Sequence, residues 1–227
     1  VPFYEKAGVR VDYVGHPLLE KKPSPDMEKF FSATGLNKGK RIIAMLPGSR
    51  SKEVERLSPV LLDTAEILKN KIPDLQFVMP LAPGFLSHEK KGDVRIVPGM
   101  VAEALNASIL AIVASGTVTL EAALSGTPMV IIYKLSPISY WLARMLVSVK
   151  DVGLVNLIAG RRIVPELVQS DASPERIAEE ALRIVSDEAM CLRIKEDLKA
   201  VVSALKEPIG QTGASSRVAD IILSMIN

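Results

Sequence analysis

Two short stretches carry residue types that can hold an anion. The first is Leu46-Pro47-Gly48-Ser49-Arg50, which joins an apolar strand pattern to a helical one. Gly48 lets a ligand approach the backbone, Ser49 is a donor, and the Arg50 guanidinium can fork onto a phosphate. It is not a Walker loop, because the Lys-Ser/Thr pair and its spacing are absent. The second stretch is Ala114–Thr117, with Glu121 about one turn further on. A strand ending in small hydroxylated residues at a helix start presents unpaired N–H groups, and the helix dipole favours negative charge there. Ser115, Gly116 and Thr117 then supply N–H and hydroxyl donors, and Glu121 can accept hydrogen bonds from sugar hydroxyls. The ordinary alternatives are a solvated arginine, a plain capped helix and a structural ion pair at Glu121. Both stretches follow strands, so one pocket would collect them. Together they propose a site for a nucleotide sugar.

Other residues are weaker candidates. Asn156 and Arg161 lie on an irregular stretch over 152–162, where an amide and a guanidinium can reach a bound nucleotide; turn chemistry is the plainer reading. His16 stands between Gly15 and Pro17 and His88 in a polar loop. Neither has a partner at metal-ligand spacing, so no metal is expected. The segment 137–147 is unusually apolar. Tyr140, Trp141 and Met145, with Lys134, Arg144 and Lys150 around them, suit a membrane surface or a partner contact, and equally a core helix.

The elements that must position these residues alternate. Strands are expected over 11–14, 41–46, 75–79, 94–97, 109–113 and 129–133. Helices are expected over 26–34, 53–70, 101–106, 118–124 and 137–147, with Ser24 and Pro25 as cap and first residue of the earliest. Pro59 is expected to kink the second of these helices. Residues 80–92 read as a loop. From Pro165 the pattern is helical throughout, over 165–168, 174–185, 188–205 and 214–226. Apolar strands between helices imply an α/β fold, a Rossmann-like doubly wound parallel sheet with extra C-terminal helices.

Composition narrows the class. The 227 residues are 48% hydrophobic and 24% charged, which is a globular balance. A net charge of +2 and 4% aromatics argue against nucleic acid. The single cysteine, Cys191, falls in a helical run and reads as a packed thiol in a reducing compartment. No uninterrupted apolar run reaches spanning length. The chain opens on Val1-Pro2-Phe3-Tyr4 without Met, and a longer parent protein is expected.

Taken in order, Val14–Leu18, Leu46–Arg50 with Glu53, Ala114–Leu120 with Glu121, Pro128–Tyr133, Asn156–Arg161 and Gly213–Ile222 resemble the C-terminal half of the lipid-A-disaccharide synthase family, bacterial glycosyltransferases of the GT-B type. The most specific piece is Asn156-Leu157-Ile158-Ala159-Gly160-Arg161 after Tyr140-Trp141-Leu142-Ala143. The resemblance implies inverting transfer from UDP-2,3-diacylglucosamine to 2,3-diacylglucosamine 1-phosphate (lipid X), giving a β-1,6-linked disaccharide and UDP, with no metal or other cofactor. It implies a peripheral protein on the cytoplasmic face of the inner membrane, and a possible homodimer. Residues 1–18 would end the N-terminal domain, 19–186 would bind the donor, and 187–227 would pack on the other domain or a second subunit. Carried over by motif, Gly48, Ser49, Arg50, Ser115, Gly116, Thr117, Glu121, Asn156 and Arg161 would bind UDP. The catalytic base would lie in the other domain. Alternatives are an enzyme like UDP-N-acetylglucosamine 2-epimerase and a non-catalytic nucleotide-sugar-binding module.

Overall fold

A computed structural model describes residues 4–5, 8–20, 24–82, 90–135, 151–206 and 213–226. The apolar strands are β1 (Ile42–Leu46), β2 (Gln76–Leu81), β4 (Val94–Pro98), β5 (Leu110–Ala114), β6 (Met129–Tyr133) and β7 (Glu166–Val168); β3 is the two-residue Lys90–Lys91. They form one sheet in the order β3-β4-β2-β1-β5-β6-β7. Every pairing is parallel except β3 with β4. Every residue of β1 and β5 is buried, as expected of parallel strands covered on both faces.

The helices are α1 (Met27–Thr34), α2 (Ser51–Lys71), α3 (Val101–Ala107), α4 (Val118–Leu124), α5 (Leu154–Ala159), α6 (Pro174–Ser186), α7 (Glu188–Lys206) and α8 (Gly213–Ile226). α2 and α6 pack together over one face of the sheet; α3 and α4 cover the other. α2 turns Val54, Leu57, Leu61, Ala65 and Leu68 inward at helical spacing and continues through Pro59.

Several expectations change. The earliest helix is capped by Asp26, whose carboxylate accepts from Lys29 N at 3.0 Å, not by Ser24. Residues 9–14 form no strand. The sequence pattern predicts a helix over 165–168, but Glu166–Val168 is the edge strand β7, paired with β6 from Ile131↔Glu166. Within the supposedly irregular 152–162, Leu154–Ala159 is helical and stops at Gly160 with a left-handed φ of 66°. Helix α7, expected to leave this domain, packs on α4 and α5 and buries Ile194, Leu198, Val201 and Leu205 in the core. Tertiary burial overrides the boundary expected at 187. The expected helix over 137–147, with Tyr140, Trp141 and Met145, lies outside the described residues.

Helix α8 is different. It buries Ala214 and leaves Val218, Ile222, Leu223, Met225 and Ile226 exposed. Its start is held by Glu20, which accepts from Ser215 N (2.7 Å) and Ser215 Oγ (2.8 Å). These two bonds draw the Glu20 carboxyl below its usual pKa. Urea unfolding separates the two environments. Leu61→Ala, at a fully buried position, should cost about 2–5 kcal/mol. Ile222→Ser should stay within about 0.5 kcal/mol; a larger loss would show that something covers that face.

Candidate functional site

The strand order changes direction at β1. β2 lies on one side of it and β5 on the other, so the β1–α2 and β5–α4 turns emerge side by side. In doubly wound sheets ligands bind at such a switch point, beyond the carboxyl ends of the strands. A cavity of about 600 Å³ opens there. The β1–α2 turn contributes Gly48, Ser49, Arg50 and Glu53; the β5–α4 side contributes Ser115, Gly116, Thr117 and Glu121. The floor comes from Leu46, Pro80, Leu81 and Ala114, and one wall from Val152 and Leu154. A smaller cavity of about 270 Å³ adjoins it, sharing Arg50, Glu53, Ser115 and Val152 and adding Tyr133, Asp151 and Leu157.

The first turn is built around Glu53. Its carboxylate accepts from Arg50 N at 3.5 Å and pairs with the Arg50 guanidinium at 3.4 Å. Gly48 has φ +113°, and a Cβ there would collide with the Glu53 carboxylate. Glycine is thus required twice, for conformation and for space. The Arg50 side chain is 84% exposed and its pairing is long. Such a pair holds the guanidinium only weakly, so it is free to meet an anion. The N–H groups of Ser49, Ser51 and Lys52, at the head of the 21-residue α2, take no partner among the described residues. Unpaired amides and the helix dipole give this end a positive potential.

The second turn differs from the expectation. Ser115 N donates to Ile132 O at 3.0 Å, and Ser115 Oγ donates to Val152 O at 2.8 Å. Both of its donors are therefore spent. The N–H groups of Gly116, Thr117 and Val118 take no partner among the described residues. Glu121 is half-buried, and desolvation pushes its carboxyl above the usual pKa.

Asn156 and Arg161 are placed elsewhere. Asn156 is 1% exposed. Its amide donates to Val164 O (3.0 Å) and Glu166 Oε1 (2.7 Å), and its carbonyl accepts from Ile163 N (2.8 Å) and Val164 N (3.1 Å). With every polar position filled, it ties α5 to β7 and has nothing left for a ligand. Arg161 pairs with Asp197 of α7 at 2.6 Å. Neither residue lines either cavity. Residues not singled out before include Gly99 and Val101, which line the large cavity. Between them Met100 takes a left-handed φ of 60°, following Gly99 at 64°; the Pro98-Gly99 pair after a strand is the sequence signal for that turn. Among the described residues, no cluster of three His, Cys, Asp or Glu could hold a metal. No helix among them is long and apolar enough to cross a membrane.

Solved structures share this architecture. A kitacinnamycin glycotransferase aligns over 85% of this chain and 45% of its own, with TM-score 0.55 and 18% identity. A protein described as a "putative UDP-N-acetylglucosamine 2-epimerase" from Listeria monocytogenes aligns over 92% of this chain and 51% of its own, with TM-score 0.51 and 16% identity. At such identities the likeness shows fold alone, a Rossmann-like parallel sheet that makes up about half of each of those chains.

The family is shown by sequence. The family profile described as Lipid-A-disaccharide synthetase matches residues 1–221. A lipid-A-disaccharide synthase from Geobacter sulfurreducens is 42% identical over the whole chain, and one from Anaeromyxobacter dehalogenans is 45% identical over 99% of it. The chain belongs to the lipid-A-disaccharide synthase family. It spans 60% of the length of those two relatives.

The placement of Asn156 and Arg161 has a measurable consequence. Asn156→Ala leaves the Ile163 and Val164 amides unpaired and should cost at least about 2 kcal/mol in urea unfolding. Arg161→Ala removes an exposed pair and should cost under about 1 kcal/mol. Equal small losses would contradict the structural role of Asn156.

Proposed function

We propose that this chain is the donor-binding half of a lipid-A-disaccharide synthase, gripping the diphosphate of UDP-2,3-diacylglucosamine in the large cavity. What supports the reading is the convergence of two β-to-α turns on one cavity that holds a loosely paired guanidinium, unpaired amides and a half-buried carboxylate. Arg50 and the amides of both turns meet the diphosphate. Gly48, Ser49, Gly116 and Thr117 line it, Ser115 supports the wall, and Glu121 accepts from the ribose hydroxyls.

The reaction is inverting transfer to lipid X, with release of UDP. As the glycosidic bond breaks, negative charge grows on the leaving diphosphate. No metal is invoked, so Arg50 and fixed N–H dipoles stabilise that charge. Donors already in place at the moment of bond cleavage lower the barrier as well as tighten binding. The acceptor hydroxyl needs a general base, and the family resemblance assigns it to an N-terminal domain. The enzyme works as a peripheral protein at the cytoplasmic face of the inner membrane, with Tyr140, Trp141 and Met145 assigned to contact with the membrane or with a partner. The exposed apolar face of α8 packs on the N-terminal domain or on a second subunit.

Calorimetric titration of UDP tests the grip. Arg50→Ala should weaken binding at least about tenfold, the worth of a charge-assisted contact to phosphate. Unchanged affinity removes Arg50 from the site. Incubated alone with labelled donor and lipid X, the 227-residue chain should produce no disaccharide. Product would overturn the assignment of the base to another domain, and a change of sugar configuration would indicate an epimerase.

The role of Glu121 gives a pH signature. Burial raises its pKa above the usual 4.5, so its ionisation weakens the fold as pH rises through that raised value. Ribose hydroxyls donating to the carboxylate favour the ionised form. UDP affinity should therefore climb with pH through the window above 4.5, and Glu121→Gln should remove that part of the profile. Subtracting the two profiles cancels the titration of the phosphate itself; identical profiles would exclude the contact.

A further inference from the structure

Glu166 is a buried carboxylate that the donor site described above does not use. It sits on the edge strand β7, 8% exposed. Three donors converge on it: Val152 N at 2.7 Å, Gly153 N at 2.9 Å and Asn156 Nδ2 at 2.7 Å. Hydrogen bonds to an ionised acceptor are about twice as strong as neutral ones. A carboxylate this enclosed is therefore a strong clamp on the backbone it binds.

That backbone is the cavity wall. Val152 lines both cavities, and Leu154 lines the larger. A second feature shows how tightly the wall is held. A Cβ on Gly153 would collide with Ile131 Cδ1 and come within 2.8 Å of Glu166 Oε1. Gly153 has an ordinary φ of −82°, so it is glycine for space, not for conformation.

The clamp continues to Ser115. Val152 offers its N–H to Glu166 and its carbonyl to the Ser115 hydroxyl, at 2.8 Å. A serine hydroxyl has one hydrogen and two lone pairs. Because the hydrogen is spent on Val152, Ser115 Oγ can only accept from whatever lies beside it. A phosphate oxygen has no hydrogen to give; a sugar hydroxyl has. Ser115 also lines the smaller cavity beyond Arg50, whose volume of about 270 Å³ accommodates a hexosyl group.

We propose that Glu166 is a positioning residue. Through Val152 it fixes the Ser115 hydroxyl as an acceptor for a hydroxyl of the hexosyl group, so that the site prefers a UDP-sugar over UDP. The proposal rests on the donor-site reading and adds to it the way the sugar is told from the bare nucleotide.

The test measures Kd for UDP and for UDP-N-acetylglucosamine as a soluble probe, by calorimetry on this chain. The quantity read is the ratio Kd(UDP)/Kd(UDP-sugar). Ser115→Ala should lower that ratio about fivefold, the worth of one net hydrogen bond, and Ser115→Thr, which keeps a hydroxyl, should restore it. Glu166→Gln places an amide N–H against the clamp's donors and should lower the ratio by a similar factor. The double variant should be no worse than either single one, because both act on one contact. An unchanged ratio in Ser115→Ala overturns the proposal whether or not Glu166→Gln folds. A multiplied loss in the double variant, or a loss in Ser115→Ala with none in a folded Glu166→Gln, overturns the positioning role. Failure of the wild-type chain to bind either nucleotide overturns the donor-site reading and this proposal with it.

Discussion

The parallel pairing of β1 with β5 is the constraint from which the site follows. Their register, from Ile43↔Leu110 to Leu46↔Val113, brings both strands to their carboxyl ends at the same level. Each strand is then obliged to turn into a helix at that level, and the strand order turns outward there in both directions. Among the described residues, no other adjacent pair of strands combines these properties. The turn carrying Arg50 and the turn carrying Thr117 are thus neighbours because of backbone hydrogen bonds among apolar residues, not because of any attraction between their polar side chains. A register slip would bury or withdraw one turn relative to the other and divide the cradle.

Both walls of the cavity use the same device, a carboxylate set hard against a glycine. Glu53 lies over Gly48 and accepts from Arg50 N; Glu166 lies over Gly153 and accepts from its N–H. In each case the missing Cβ allows a charged group to bind backbone that would otherwise be held off. The two carboxylates differ in exposure. Glu53 is a quarter exposed and pairs loosely with a solvent-facing arginine, whereas Glu166 is almost fully enclosed by N–H donors. One wall is held by a long, solvent-facing pair, and the other by short hydrogen bonds to a buried carboxylate.

Much of this was legible in the sequence, for physical reasons. Continuous apolar runs of strand length between helical periodicities can be satisfied only by a covered parallel sheet, and they located β1, β2, β4, β5 and β6 to within a residue or two. Gly48 and Gly116 marked turns, and Arg50 and Glu121 stood out as charges beside apolar runs. The region after β6 was harder. Glu166-Leu167-Val168 is too short to show a period, and it follows a proline that suits a helix start as well as a strand edge. The fate of Asn156 and of the Ser115 hydroxyl depends on partners seven to 37 residues away. Local pattern carries no information about such pairs, so from sequence both point at a ligand. Helix α7 misled for the same reason: its apolar stripe was plain, but what it faced was not.

In the proposed donor grip, one diphosphate bridges two neighbouring β-to-α turns. Amide-resolved NMR of the labelled chain during UDP titration tests this most directly. The signals of Ser49, Ser51, Gly116, Thr117 and Val118 should shift together on one saturation curve, while those of Ile163 and Arg161, outside the cavity, stay in place. Shifts confined to one turn, or two turns saturating at different UDP concentrations, would contradict it.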